Sequence, residues 1–232
     1  MRIEFWIHTA ILLMLLTYGN SNLRSESDFA TRFPTYSGLS NEYFPANKNK
    51  VLIYDSDFGD TELTVSQDAN HSVFTFKADD FTYRQKFQVN DQGVFVKETY
   101  QKMKVLLVIS QEGTYTYSEP IPRIKYPAET GKEWNWKGKE YNDEDINSLD
   151  VTGQIEKIEK IKTQAGTFDA LKIVTTVKSS SGTNSKVSEW FVKDLGLVKM
   201  IAEVDGGGIL GAARNLLGLS EIVLELKKIS NI

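Results

Sequence analysis

Few side chains in this 232-residue sequence have the type and spacing to do chemistry. Two histidines are present, and only His71 lies outside the apolar N-terminal stretch. A serine triad would need it as base, but Asp68-Ala69-Asn70-His71-Ser72 has the composition of a solvated turn. One histidine cannot build a His-rich zinc site. Cysteine is absent, which excludes disulfides, a thiolate nucleophile, sulfur-based zinc sites and an N-terminal lipid-modified cysteine. Asp55, Asp57 and Asp60 gather near Gly59 and Glu62, and calcium favours several hard oxygens from one loop. The EF-hand spacing fails, because Gly59 stands where a ligand belongs and Ser66 replaces the closing glutamate. These three aspartates are a weak metal candidate, and a turn built on Asp and Gly accounts for them better. The run Asp143-Glu144-Asp145 reads as a solvated loop, although acids paired across a cleft hydrolyse glycosides. No catalytic residue and no cofactor is assigned, and the chain reads as non-enzymatic.

Composition narrows the class further. The chain is 41% hydrophobic and 25% charged, with a net charge of −4. Its 12 Phe and 10 Tyr are enough for a real core, unlike the composition of disordered chains. Lysines are interleaved with acids, so the basic face of a nucleic-acid binder is not expected. Residues 1–22 have a short positive start, an apolar run from Phe5 to Leu16 and then small and polar residues. That layout is a secretory signal peptide, and the run is short for a bilayer span of roughly 20 residues. Residues 23–42 read as a flexible lead-in and 43–232 as one domain. The expected location is outside the cytosol, in the periplasm or at the cell surface. No integral membrane span is expected after signal cleavage.

The domain must be made of strands. Phe81, Tyr83, Gln85, Phe87 and Val89 alternate with Thr82, Arg84, Lys86 and Gln88, the period-2 signature of a half-buried strand. Asn90-Asp91-Gln92-Gly93 then turns the chain into a second strand. In residues 151–162, Ile155, Ile158 and Ile161 repeat every three residues, as in a helix, while Val151, Gly153 and Ile155 repeat every two, as in a strand. The hairpin turn Gln164-Ala165-Gly166-Thr167 decides for a long, bulged strand. Pro120, Pro122 and Pro127 mark an irregular crossing. About 11–12 short strands, spaced roughly every 10 residues, predict an all-β antiparallel roll, half-barrel or sandwich. One short helix is expected near 209–217, after Gly206-Gly207-Gly208.

The residues most able to bind something are apolar. Trp134, Trp136 and Trp190 could form a flat platform, although large aromatics on strands more often belong to a core. The segment 206–219 is glycine-rich and almost uncharged. It reads as a plug for an open end of the β-structure, as a lid over a greasy cavity, or as an interaction surface. The proposed ligand-binding set is Phe74, Phe76, Phe87, Trp190, Leu210 and Leu217.

Four spaced landmarks add a resemblance. They are Tyr43-Phe44-Pro45, Tyr126-Pro127 leading into Gly131-Lys132-Glu133-Trp134, the hairpin from Gln164 to Ile173, and the strand pair from Glu189 to Lys199. Together they resemble the TapB-like families of exported bacterial β-proteins of unknown function. The sequence departs from that pattern at Gln164, at Phe191 and at Lys193-Asp194. The resemblance implies an antiparallel β-fold and an envelope location, with no established reaction and no functional residues to carry over.

The expectation from sequence is therefore an exported envelope protein that binds an apolar, lipid-like small molecule or an envelope protein. The alternatives are a structural scaffold and a hydrolase using carboxylates or calcium.

Overall fold

The structure, a computed structural model, describes residues 42–44, 50–106, 109–143, 145–206 and 221–231. Twelve strands occupy them: β1 (Lys50–Ser56), β2 (Thr61–Asp68), β3 (His71–Lys77), β4 (Phe81–Asn90), β5 (Gly93–Leu106), β6 (Ile109–Lys125), β7 (Glu133–Tyr141), β8 (Ile146–Thr163), β9 (Gly166–Ser179), β10 (Asn184–Val192), β11 (Gly196–Asp205) and β12 (Ile222–Asn231). Each pairs antiparallel with its sequence neighbours, and β1 also pairs with β12. The sheet is thus a closed barrel, which corrects the expected roll, half-barrel or sandwich. Closure leaves no sheet edge exposed for aggregation. Among the described residues no helix occurs, and the helix expected near 209–217 lies outside them, as does the signal segment. No helix among the described residues is long and apolar enough to cross a membrane.

Alternation sets the inside and outside of the wall. On β4 the Phe81, Gln85 and Phe87 side chains are buried and Arg84 is exposed, matching the pattern read from sequence. A transmembrane barrel is built the other way round, with an apolar band on its outer face. The ambiguous 151–162 stretch is strand, and its pairing with β9 shifts register between Ile155 and Lys157. A bulge of this kind absorbs the extra residue that blurred the periodicity. At the β4–β5 turn, Gly93 adopts φ 150°, and a Cβ there would meet the Ile124 carbonyl oxygen at 2.1 Å.

One seam is thinly bonded. β6 and β7 share two residue pairs, Thr116 with Tyr141 and Tyr117 with Glu140. Pro120 and Pro122 lie inside β6 rather than in a crossing loop, and proline has no N–H for a ladder bond. The Trp134 indole partly compensates, donating from Nε1 to the Pro122 carbonyl at 3.1 Å.

An eight-strand barrel is just filled by its own side chains, and more strands leave room inside. Twelve strands face that problem, and the two ends of this barrel solve it differently. At the end bearing the turns 69–70, 91–92, 164–165 and 193–195, the chain fills the lumen. Phe44 stacks on Phe74 with centroids 4.4 Å apart and meets Phe87 edge-on at 4.8 Å. The Asp194 N–H donates to the Glu42 carbonyl at 2.5 Å, and Lys193 pairs with the Glu42 carboxylate at 3.0 Å, which fastens the insert. The β8–β9 hairpin reaches across as well. Its Ala165 N–H donates to the Leu226 carbonyl at 3.3 Å, and Ile161 and Phe168 join the core. The end bearing turns 57–60, 78–80, 142–145 and 180–183 is hollow.

Candidate functional site

The hollow is a cavity of about 290 Å³. That is the volume of about ten water molecules or small heavy-atom groups, at roughly 30 Å³ each. It sits at the small end of ligand pockets. Its two sides differ in chemistry. The arc β4–β7 supplies Gln85, Thr99, Gln101, Tyr115, Tyr117 and Glu140. The arc β8–β12 supplies mainly hydrocarbon, including Leu149, Val151, Val177, Val187, Ala202 and Leu224. Thr175 and Ser185 are exceptions on that second arc, as is Glu189, whose carboxylate turns to Arg123.

A buried polar chain crosses the lumen. Arg123 donates from Nη2 to the Glu189 carboxylate and from Nη1 to the Gln85 amide oxygen. Gln85 donates onward to the Thr99 hydroxyl at 3.4 Å, and the Tyr117 hydroxyl donates to the same oxygen at 3.0 Å. The Arg123 and Glu189 side chains are 13% and 5% exposed. Such charges cost several kcal/mol to desolvate unless paired and hydrogen-bonded. Pairing meets most of that requirement, leaving Arg123 Nε buried without a hydrogen-bond partner among the described residues, and the guanidinium also lies 5.3 Å from the Phe87 ring centroid. Burial acts on the neighbouring acids. It pushes the Tyr83 phenol up to about 12 and raises Tyr117 further. It also raises Glu140 above the ordinary carboxylate range, opposed by a hydrogen bond with Asn147.

The structure separates the residues proposed from sequence. Phe76 lines the cavity. Phe74 and Phe87 are packed instead against Phe44 in the filled end. Trp190 does not line the cavity. Glu189 and Phe191 occupy its two neighbouring positions on β10, so alternation sends its indole to the other face. There it donates to Glu159 at 2.8 Å, with the Lys172 ammonium 5.4 Å from its ring. Trp134 is likewise buried and bonded, so the aromatic platform is not assembled. Leu210 and Leu217, with the plug or lid they were to form, lie outside the described residues.

The three aspartates diverge. Asp55 accepts from Gln164 at 3.0 Å, Asp57 from the Val223 N–H at 2.7 Å, and Asp60 from Lys227 at 2.7 Å. Among the described residues no three His, Cys, Asp or Glu side chains are grouped to hold a metal. His71 takes part in the β2–β3 hairpin opposite Asp68.

Sequence reading missed Arg123, Glu189, Gln101 and Glu140. Gln85 gave a signal, a lone amide on an otherwise apolar strand face. Glu189 gave a weaker one, an acid at the inward spacing of Val187 and Phe191. Arg123 gave none, since it follows Pro122 where periodicity is lost.

A protein-family model described as DUF3108-like matches residues 61–203, more than half of the chain. The match begins at the first residue of β2 and ends within β11. It replaces the TapB-like assignment, whose landmarks are turn and core positions that many antiparallel β-proteins share. No curated protein matches the sequence. A solved chain from Parabacteroides distasonis, described as a "putative lipoprotein", is similar at 15% identity over 81% of this chain and 98% of its own, with a TM-score of 0.37.

Proposed function

We propose that this chain, which belongs to the DUF3108-like family, is an exported, non-enzymatic protein of the cell envelope that holds an apolar small molecule inside its barrel. The single observation that carries the reading is the cavity of about 290 Å³ at one end of a barrel whose other end is solidly packed. An apolar cavity with a few fixed polar groups is the usual form of a small-molecule site. The two carboxylates that line it are engaged, Glu189 by Arg123 and Glu140 by Asn147. That fits holding better than hydrolysis. The N-terminal signal-like segment supports export, through a leader of residues 1–22 ahead of a lead-in and the barrel domain.

Native mass spectrometry of the protein purified from its own envelope tests this. The expected spectrum shows a bound apolar molecule that organic solvent extracts, and Ala202→Trp, which fills the cavity, abolishes it. Protein that arrives empty and takes up no amphiphile offered to it would refute the reading. Turnover of a glycoside abolished by Glu140→Gln would favour a hydrolase instead.

A further inference from the structure

The cavity's two arcs carry an inference about the shape of its ligand, resting on the reading just given. A site for a head-and-tail lipid gathers its polar groups at one point, at the floor or at the mouth. Here they recur along the barrel axis on one wall. Thr99 and Gln101 are successive inward positions of β5, paired with Tyr115 and Gly113 on one side and with Gln85 and Tyr83 on the other. Glu140 stands beside them on β7, opposite Tyr117. Across the lumen hydrocarbon predominates, from Val187, Ala202 and Leu224, with Thr175 and Ser185 as the uncharged polar exceptions.

Not all of these groups are available. Thr99 and Gln85 are spent within the Arg123 chain, and that chain is electrically balanced by Glu189. A charged head is therefore not called for at the floor. The Gln101 side chain lines the cavity, and its amide has no hydrogen-bond partner among the described residues. The side chain is half-buried, so its amide faces the cavity open to a ligand or to water. An amide both donates and accepts, so a hydroxyl is a matching partner.

We propose that the ligand is two-faced: a neutral amphiphile with a hydroxyl-type group partway along its length, bonded to Gln101 on the β4–β7 wall, and its apolar side against β8–β12. Glu140 borders the same polar strip, where it is hydrogen-bonded to Asn147.

Two isomeric probes decide the matter, because they share composition and differ only in where the hydroxyl sits. In 1-decanol it is terminal, and in 5-decanol it is mid-chain. A cavity walled by hydrocarbon favours 1-decanol, which can keep its hydroxyl at the end of the cavity. Ligand-observed NMR titration of the purified full chain is expected to show 5-decanol binding about two- to tenfold tighter, the worth of one net hydrogen bond. Gln101→Leu is expected to remove the 5-decanol preference and reverse the order. Gln101→Met, closer in length, serves if the leucine variant folds poorly by circular dichroism. Equal or tighter binding of 1-decanol by the unaltered protein overturns the two-faced ligand and leaves the apolar-ligand reading standing. A 5-decanol preference that survives both substitutions overturns the role of Gln101. Failure of both alcohols to bind sinks the apolar-ligand reading, and this inference with it.

Discussion

The two ends of the barrel are built from the same strands and differ in what fills them. At the packed end, Phe44 is pressed between Phe74, Phe87 and Phe191, and Tyr54 is fully buried with its hydroxyl bonded to the Leu197 carbonyl at 2.7 Å. At the hollow end the same strands carry Gln85, Thr99 and Val187 around empty volume. Between them runs the Arg123 chain. The packed end supplies the burial that holds the barrel closed, so the hollow end is free to serve a ligand. Fold stability and the proposed ligand site thereby fall at different heights of one wall.

The largest expected effect tests that division. Phe44→Ala should destabilise the protein by about 3–5 kcal/mol, as for other large-to-small changes at buried phenylalanines, measured by urea unfolding. Phe58→Ala at the hollow end removes the same atoms from a partly exposed ring stacked on Phe81, and should cost about 1 kcal/mol, typical of less buried sites. Equal losses would mean the ends are not energetically distinct.

The boundary between the ends gives the next effect. Arg123→Leu strands the buried Glu189 carboxylate, and breaking such a pair costs about 3 kcal/mol or more. The double variant Arg123→Leu/Glu189→Leu removes both charges and should recover most of the loss, because hydrophobic replacement of a buried pair is often close to neutral. If the double variant is as unstable as the single, the chain does more than neutralise itself, and its bonds to Gln85 are the part to examine.

A smaller pair of effects differs in sign. Ala170 is fully buried in the packed region and Ala202 lines the cavity. Ala170→Leu overfills a dense core and should cost about 1–3 kcal/mol. Ala202→Leu fills empty space and should stabilise by about 0.5–2 kcal/mol. Thermal melts of the two variants sharpen the comparison most directly, since two changes of identical chemistry move in opposite directions.

Much of the wall was legible in the sequence, and its height was not. The alternation Phe81, Tyr83, Gln85, Phe87 gives the inward face of β4 because a strand's period is fixed. It says nothing about which inward residue meets the packed end. Phe74 and Phe76 are adjacent inward positions on β3, and one packs on Phe44 while the other lines the cavity. Closure was also hidden, since the β1–β12 pairing joins Lys50 to Asn231, and no local pattern encodes so distant a partner. The same holds for Arg123 and Glu189, 66 residues apart. That Trp190 lies off the cavity is not legible either, because both faces of β10 are buried there, which erases the polar half of the alternation.

The smallest effect concerns Glu140 and reports on the hollow end alone. Burial raises its pKa above the ordinary 4.5. Between those two values the folded chain keeps a proton that the unfolded chain has released. Stability contributed by this group is therefore complete below 4.5, declines as the pH rises through the window, and is level again above the raised value. Tyr83 and Tyr117 stay protonated throughout, since burial moves them upward as well. Asp68, Glu112 and Glu159 are shifted downward by hydrogen bonds from Lys86, Lys102 and Trp190, and they give the opposite slope below the same range. The difference between wild type and Glu140→Gln isolates the term. The glutamine variant should gain on wild type as the pH rises past 4.5, by at most a few degrees in Tm, since about 1 kcal/mol moves Tm by roughly 2–4 °C in a chain of this size. A ligand in the cavity excludes water from beside the carboxyl and should widen that gap. A gap that stays the same when 5-decanol is added would place Glu140 away from the bound molecule, and would leave the polar wall to Gln101 alone.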